Sequence, residues 1–286
     1  SEDDSPSPEF VESDVYLIDA DGRVMAEILG ARVQRIGRGI ATPQERKPED
    51  WLYRIAWTPQ PLAGTEGIPG GTWIVFGDEQ VAPAVIAGLG HVDRTIVHVR
   101  AGDALTLPKT LTRAEVVEAT IDPTNPEHYA ALMAAVASSG EGIVGVVHLW
   151  SLDIPTTDKA VAPGDLWDAS RGLGTASVLL TLQQLGRLSQ SAAPRLWLAT
   201  SGAQAAEGAA VAVAQAPLVG LLRVAAVEHT EFRPTLVDFD PAALPQDSAT
   251  QLLAELTSRD WPDSQIAYRK GERLVARLEE DAPSRA

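Results

Sequence analysis

The side chains that could act as acids, bases or nucleophiles are too widely spaced to form a recognisable catalytic set. Cysteine is absent, which excludes disulfides, thiolate catalysis and cysteine-based zinc sites. A short-chain reductase needs a tyrosine followed four residues later by lysine or asparagine, which lowers the pKa of the phenol. The residues found at that spacing are Ala20, Trp57, Met133 and Glu272. No tyrosine therefore qualifies as the proton donor.

The histidines and serines suggest structural roles. No two of the five histidines lie three to five residues apart, so a helical metal pair is not expected. His98 and His148 fall in predicted strands and are interpreted as core or strand-end residues. His229 follows Glu228 at a predicted helix end, where a cap is favoured. Ser201, in Thr-Ser-Gly after a strand, is the nearest approach to a hydrolase nucleophile, but a plain turn is the favoured interpretation.

The loop at which a dinucleotide would bind lacks the residues that phosphates require. A phosphate-binding turn needs several glycines, so that backbone N–H groups can approach the pyrophosphate. Residues 76–80 read Phe-Gly-Asp-Glu-Gln, with one glycine and two carboxylates. The Gly-Leu-Gly segments at 88–90 and 172–174 lack a third glycine and are predicted to be packing or helix-end glycines. We therefore assign no catalytic, cofactor-binding or metal-binding residue.

Composition excludes several classes of protein. Among 286 residues, 23 Lys and Arg stand against 39 Asp and Glu, a formal net charge of −16. Nucleic-acid binding requires clustered basic residues, so it is not expected. The longest apolar runs fall short of a membrane span, and the acidic, proline-containing start does not resemble a signal peptide. We expect a soluble, cytoplasmic protein.

The first fifty residues and the remainder have different patterns. Residues 1–13 suggest a flexible leader. Two apolar runs between 15 and 28 surround Asp21-Gly22, which predicts a β-hairpin, and a further extended piece covers 31–36. Residues 37–50 are polar, contain glycine and proline, and suggest a linker.

From residue 51 onward, predicted strands alternate with predicted helices. Asn125 before Pro126 predicts a capped helix, residues 166–188 a long apolar helix, and Pro217 the start of another. Ser248 and Gln251 suggest a capping box. The predicted strands are residues 52–57, 72–76, 95–99, 143–150, 195–200 and 235–239, and a hairpin follows at 265–278. Continuous apolar strands between helices predict an α/β fold with a Rossmann-like parallel sheet.

Two blocks near the C-terminal end carry a specific resemblance. Residues 215–229, QAPLVGLLRVAAVEH, and 236–241, LVDFDP, closely resemble the ketoreductase structural subdomain of modular type I polyketide synthases. Thr230 and Arg233 depart from the proline, tryptophan or glycine usual there. Supporting matches lie at 52–57, 146–153, 196–203 and 266–278, so the resemblance covers about residues 50–280. The hairpin at 14–36 resembles the C-terminal edge of a polyketide synthase dehydratase, which has a double hot-dog fold.

The resemblance implies a domain order and a fold. Residues 1–36 would be the leader and the dehydratase edge, and 37–50 the linker. Residues 51–280 would form the structural, or pseudo-ketoreductase, subdomain, and 281–286 a tail. The implied fold is a truncated Rossmann-like, short-chain-dehydrogenase-like parallel sheet with flanking helices, preceded by a β-hairpin.

The resemblance also implies a non-catalytic function within a polyketide synthase module. NADPH and the Ser, Tyr, Lys and Asn set would belong to a catalytic subdomain absent from this chain. The expected partners are that subdomain, a dehydratase, and an enoylreductase or methyltransferase. One alternative is a free-standing nucleotide-dependent oxidoreductase with an unusual site involving Asp78, Asp153 and Ser201. Another is a module that docks an acyl carrier protein, which is disfavoured because carrier proteins are also acidic.

Overall fold

The chain forms two compact units, residues 1–52 with 280–286 and residues 53–279. A computed structural model describes residues 10–34, 51–62, 64, 66–77, 79–90, 92–108, 111, 113–155, 161–188, 192–208, 210–258 and 263–281. The first unit contains an antiparallel two-stranded sheet, and the second contains a mainly parallel sheet.

The first unit contains the predicted hairpin. Strands β1 (Phe10–Ile18) and β2 (Val24–Gln34) pair antiparallel around a turn at Gly22, whose φ of +81° suits glycine. Residues 10–13 belong to β1, so the expectation of a flexible leader is wrong for these four residues; residues 1–9 lie outside the described residues. Eight large apolar side chains of the hairpin are 46–67% exposed: Val15, Tyr16, Leu17, Ile18, Val24, Met25, Ile28 and Leu29.

The second unit contains a nine-stranded sheet in the order β3-β11-β10-β9-β8-β7-β4-β5-β6. The seven strands from β10 to β6 are parallel, and β11 returns antiparallel beside β10. The Rossmann-like parallel sheet is therefore confirmed. The strands are β3 (Tyr53–Pro59), β4 (Gly71–Phe76), β5 (Arg94–Ala101), β6 (Val116–Ile121), β7 (Ile143–His148), β8 (Arg195–Ser201), β9 (Thr235–Phe239), β10 (Gln265–Arg269) and β11 (Glu272–Glu280).

Within the described residues, six α-helices connect these strands. The predicted helix at 166–188 is a continuous helical stretch, in which α3 and α4 are joined by a π-helix at Ser170–Ala176. The described residues between β5 and β6 contain no helix, so the Rossmann pattern is incomplete there. The helices are α1 (Ala82–Leu89), α2 (Pro126–Ala137), α3 (Pro163–Ala169), α4 (Ser177–Leu185), α5 (Ala216–Glu228) and α6 (Pro245–Leu256).

The helix-start predictions had different outcomes. The Asn125 side chain accepts a hydrogen bond from the N–H of Glu127, as a cap should. The capping box predicted at Ser248 is wrong, because α6 begins earlier, at Pro245, and Ser248 lies inside its first turn. Proline at a first helical position supplies a suitable φ without needing an N–H partner, which explains the earlier start.

The core consists of two apolar layers, one on each face of the sheet. Helices α2, α4 and α5 cover one face, and α1 and α6 cover the other. Trp73 and Trp197 stack in the second layer with ring centroids 5.6 Å apart. Gly145 makes room for Trp73, because a Cβ there would lie 2.3 Å from its ring. This glycine is required for packing.

Candidate functional site

The strand order reverses between β4 and β7, and this topological switch point is where open α/β sheets bind ligands. Here the N–H of Leu149 donates to the carbonyl oxygen of Phe76 at 2.7 Å, which continues the β4–β7 ladder past the end of β7. A Cβ at Gly77 would lie 2.7 Å from the Cβ of Ala82 and 3.1 Å from the Cβ of Leu149. These side chains fill the space beside Gly77 and close the switch point at this position.

The N-terminus of α1 is also unsuited to a phosphate. Its N-cap, Val81, and its first residue, Ala82, are buried apolar residues. The second residue is Pro83, which has no N–H to donate. A helix N-terminus attracts anions through free N–H groups and its dipole. With one donor missing and the entrance covered by apolar atoms, the residues present do not fit a dinucleotide pyrophosphate.

The two strand histidines are buried, as predicted, but have different environments. His98 contacts oxygen atoms through both ring nitrogens, Glu118 Oε1 at 3.0 Å and the Gly77 carbonyl at 2.7 Å. His148 has no partner for either nitrogen within the described structure. It packs against Phe76 and Trp150, with ring centroids 5.3 and 5.6 Å away. Burial lowers the pKa of His148 to about 3, which keeps the ring neutral.

The two buried tyrosines are poor proton donors. Tyr129 donates to the Pro123 carbonyl at 3.1 Å, and Tyr268 donates to Glu255 Oε1 at 2.7 Å. Burial raises the pKa of both phenols, and the charge of Glu255 raises that of Tyr268 further. Catalytic tyrosines require the opposite shift. Both hydroxyl groups therefore serve the fold.

Two of the three residues of the alternative nucleotide site, Ser201 and Asp153, lie at or just beyond the ends of β8 and β7. Ser201 ends β8, and its N–H donates to Gln215 Oε1 at 2.9 Å. Asp153 ends a 3-10 turn after β7. Asp78 lies outside the described residues. A search of the described chain finds no group of three His, Asp or Glu residues able to hold a metal ion.

Ion pairs fasten the closing hairpin to the rest of the second unit. Asp238 is fully buried and accepts from Arg269 Nη2 at 2.5 Å and from Thr200 Oγ1 at 2.7 Å. On β11, Arg273 binds Glu255, and Arg277 binds Asp263, each at 2.6 Å. Arg269, Arg273 and Arg277 are spaced four residues apart, and this spacing is the one feature of the sequence that could have indicated these ion pairs. These charges stabilise the hairpin and are not free for substrate.

A cleft of about 360 Å³ lies beside this hairpin, and we call it the β3 cleft. One side is formed by Ile55 and Trp57 of β3, and the loop after β8 contributes residues 203–205. Gln204 is 6% exposed, and its Nε2 has no partner among the described residues. Sequence reasoning did not find this cleft, because its walls are distant in the chain. Its other wall is α5, through Ala216, Val219, Gly220 and Arg223.

Comparison with known proteins finds similarity to polyketide synthases. One protein of the phenolphthiocerol/phthiocerol polyketide synthase of Mycobacterium tuberculosis is 28% identical over 267 residues, which are 93% of this chain and 11% of that protein. The mycocerosic acid synthase-like polyketide synthase of Mycolicibacterium smegmatis is 27% identical, over 94% of this chain and 12% of its own length. The chain thus spans about a tenth of these curated relatives.

Solved structures show the same fold. An A1-type ketoreductase matches 82% of this chain and 43% of its own, with 25% identity and a TM-score of 0.56. A multidomain structure of a keto acid-selecting NRPS module, containing a ketoreductase, matches 81% of this chain and 18% of its own, with 20% identity and a TM-score of 0.68. No helix in the described part is long and apolar enough to cross a membrane.

The family model described as "Polyketide synthase extender module SpnB, Rossmann fold domain" matches residues 56–278. The match covers nearly the whole second unit, from the middle of β3 to the end of β11. With the seven parallel strands and the closing hairpin, the chain belongs to this family of polyketide synthase Rossmann domains, as the resemblance in its sequence predicted.

Proposed function

We propose that this chain is a non-catalytic structural subdomain of a polyketide synthase reducing module. The observation that supports this most directly is the filled switch point, where Leu149 and Ala82 pack against Gly77. A pyrophosphate placed there would have to displace these side chains, and Pro83 leaves the start of α1 with one N–H donor fewer. The burial of Tyr129 and Tyr268 adds a second argument, since neither phenol is placed to give up a proton.

In this proposal the chain supports a catalytic subdomain elsewhere in the synthase. That subdomain would bind NADPH and reduce the β-ketoacyl group carried by an acyl carrier protein. The present chain would supply a rigid surface, built on the sheet and held by the buried Asp238–Arg269 pair. The neighbouring dehydratase, with an enoylreductase or methyltransferase, would complete the set of partners in a cytoplasmic multienzyme.

Calorimetric titration with NADPH tests the non-catalytic part of the proposal. We expect no saturable heat from this chain, because the crevice is closed. A complete ketoreductase that contains a catalytic subdomain serves as the positive control in the same buffer. Micromolar affinity for NADPH in this chain would refute the proposal.

The competing function, a free-standing oxidoreductase, makes a different prediction. The chain alone would then reduce a β-ketoacyl thioester at the expense of NADPH, and Ser201→Ala or Asp153→Asn would abolish that activity. Under our proposal, no absorbance change at the NADPH band occurs above the enzyme-free rate. Adding the chain should instead raise the melting temperature and turnover of a separately produced catalytic subdomain from its own synthase. Failure to do either would contradict the supporting role.

A further inference from the structure

Strand β3 is an edge strand that carries little protection against pairing. In the described structure its neighbour in the sheet is β11, and its other side is the limit of the sheet. Tyr53 and Ile55 are 50% and 43% exposed, and Arg54 is the one charged residue within the strand. Edge strands in natural proteins are usually short, heavily charged or covered. β3 therefore offers seven residues of backbone for an added strand.

One wall of the β3 cleft is the loop after β8, which contains Gln204. The main chain of Gln204 is fixed, because its N–H donates to Asp238 Oδ2 at 3.2 Å and its carbonyl accepts from Arg269 Nη2 at 2.9 Å. Its side-chain nitrogen has no acceptor in the described chain, but this atom is buried and does not face an occupant of the cleft. Gln204 therefore fixes the shape of the cleft wall.

The other residues that line the β3 cleft indicate which side chains an occupant would carry. Ile55, Trp57 and Val219 are apolar and suit an aliphatic side chain. Arg223 is exposed on α5, and its Nε donates to Gln265 Oε1 at 2.9 Å, which holds the guanidinium beside the cleft. A cation in this position favours a carboxylate in the partner. The cleft thus combines an apolar surface with one cation, Arg223, that favours a carboxylate.

We propose that the β3 edge and the β3 cleft together receive an extended segment from another domain of the same synthase. This inference rests on the proposed function. The segment would pair with β3 as a tenth strand of the sheet, in the mode of β-strand addition. One aliphatic side chain would enter the cleft, about 5 Å from Ile55 and Trp57, as neighbouring strands place their side chains. A carboxylate of the segment would face Arg223.

Other occupants agree less well with the observations. Two copies of this chain paired through β3 would bring together proteins of net charge −16, which repel each other. A small molecule could occupy 360 Å³, but it would leave the backbone groups along β3 without partners. An extended segment would pair with the backbone of β3, cover the apolar wall and place a carboxylate beside Arg223 at once.

Hydrogen exchange measured by mass spectrometry tests the pairing. The chain alone is compared with the complete synthase polypeptide that contains it. We expect the outward-facing amides of β3 to exchange roughly tenfold or more slowly in the synthase, because they become bonded. In the synthase, Ile55→Asp and Arg223→Glu should restore fast exchange. Val116→Asp, at a residue 42% exposed on the opposite edge strand β6, is the matched control and should leave β3 protected.

Two results would overturn the proposal. One is equal exchange of β3 in the chain and in the synthase, which needs no variant to interpret. The other is protection of β3 in the isolated chain that rises with concentration, together with a dimer in sedimentation, which would assign the edge to a second copy. NADPH calorimetry does not depend on β3. Failure of strand pairing therefore leaves the proposed function standing, and NADPH binding would overturn that function without bearing on β3.

Discussion

His148 should make the stability of this chain depend on pH in a way that one substitution removes. The ring is fully buried, has no partner for its nitrogens in the described structure, and has its pKa lowered to about 3 from an ordinary 6.5. Between these values the unfolded chain binds a proton that the folded chain does not. The stability that the chain has because this ring stays neutral is therefore fully present above about pH 6.5, and it is lost as the pH falls toward 3.

The size of the effect follows from the two pKa values. At pH 5 the unfolded state gains about 2 kcal/mol from protonating this one imidazole, and the limit at lower pH is about 5 kcal/mol. A loss of about 2 kcal/mol corresponds to a fall of roughly 4–8 °C in melting temperature for a domain of this size. Other groups also titrate here, so the absolute slope does not isolate His148. A comparison of variants does.

The assay is urea unfolding of the wild type and of His148→Leu at about pH 7.5 and pH 5. Leucine is close in volume, lacks the unpaired nitrogens and cannot titrate. On going from pH 7.5 to pH 5, the wild type should lose about 2 kcal/mol more of its free energy of unfolding than His148→Leu loses. Val224→Leu, at an exposed position of α5, changes no titratable group; it is the control and should keep the wild-type slope. Identical slopes for His148→Leu and the wild type would refute the argument.

Three other substitutions test the packing and the ion pairs. Gly145→Ala should lower the free energy of unfolding by about 1–3 kcal/mol, because the added Cβ would lie 2.3 Å from the Trp73 ring. Gly164→Ala is the control, since its Cβ would meet no atom within 4 Å, and it should not lower stability. Near-ultraviolet circular dichroism and thermal melting measure both effects. Asp238→Asn should cost about 3–5 kcal/mol in urea unfolding by leaving Arg269 buried without its counter-charge, and an undiminished midpoint would contradict this. Asn125→Ala should cost about 1 kcal/mol, measured by melting, through loss of the α2 cap.

Most of the sheet could be predicted from the sequence because its central strands are continuous apolar runs between helices. Strand β6 was not predicted. It is an edge strand whose outer residues, such as Val116 and Glu118, are exposed, so its apolar run is interrupted. Helix α1 was also missed, since eight residues containing Pro83 and Gly88 give a weak helical pattern.

The site was only partly predictable, because its main features join distant parts of the chain. The loop after β4 is poor in glycine and rich in carboxylates, and the sequence alone indicates a poor phosphate site. The closure itself comes from Leu149, more than seventy residues later. The unpaired nitrogens of His148 and Gln204 likewise depend on which strands become neighbours. Local patterns carry no information about such contacts.

The closed switch point also limits how this fold can change over time. Replacing Leu149 by glycine would remove one side chain, but Ala82 would still pack against Gly77. Pro83 would still have no N–H to donate, and the start of α1 would still consist of buried apolar residues. Each of these features needs its own substitution. Under the proposed function, several mutations therefore separate the domain from a cofactor-binding relative, and no selection for cofactor binding would favour the intermediates.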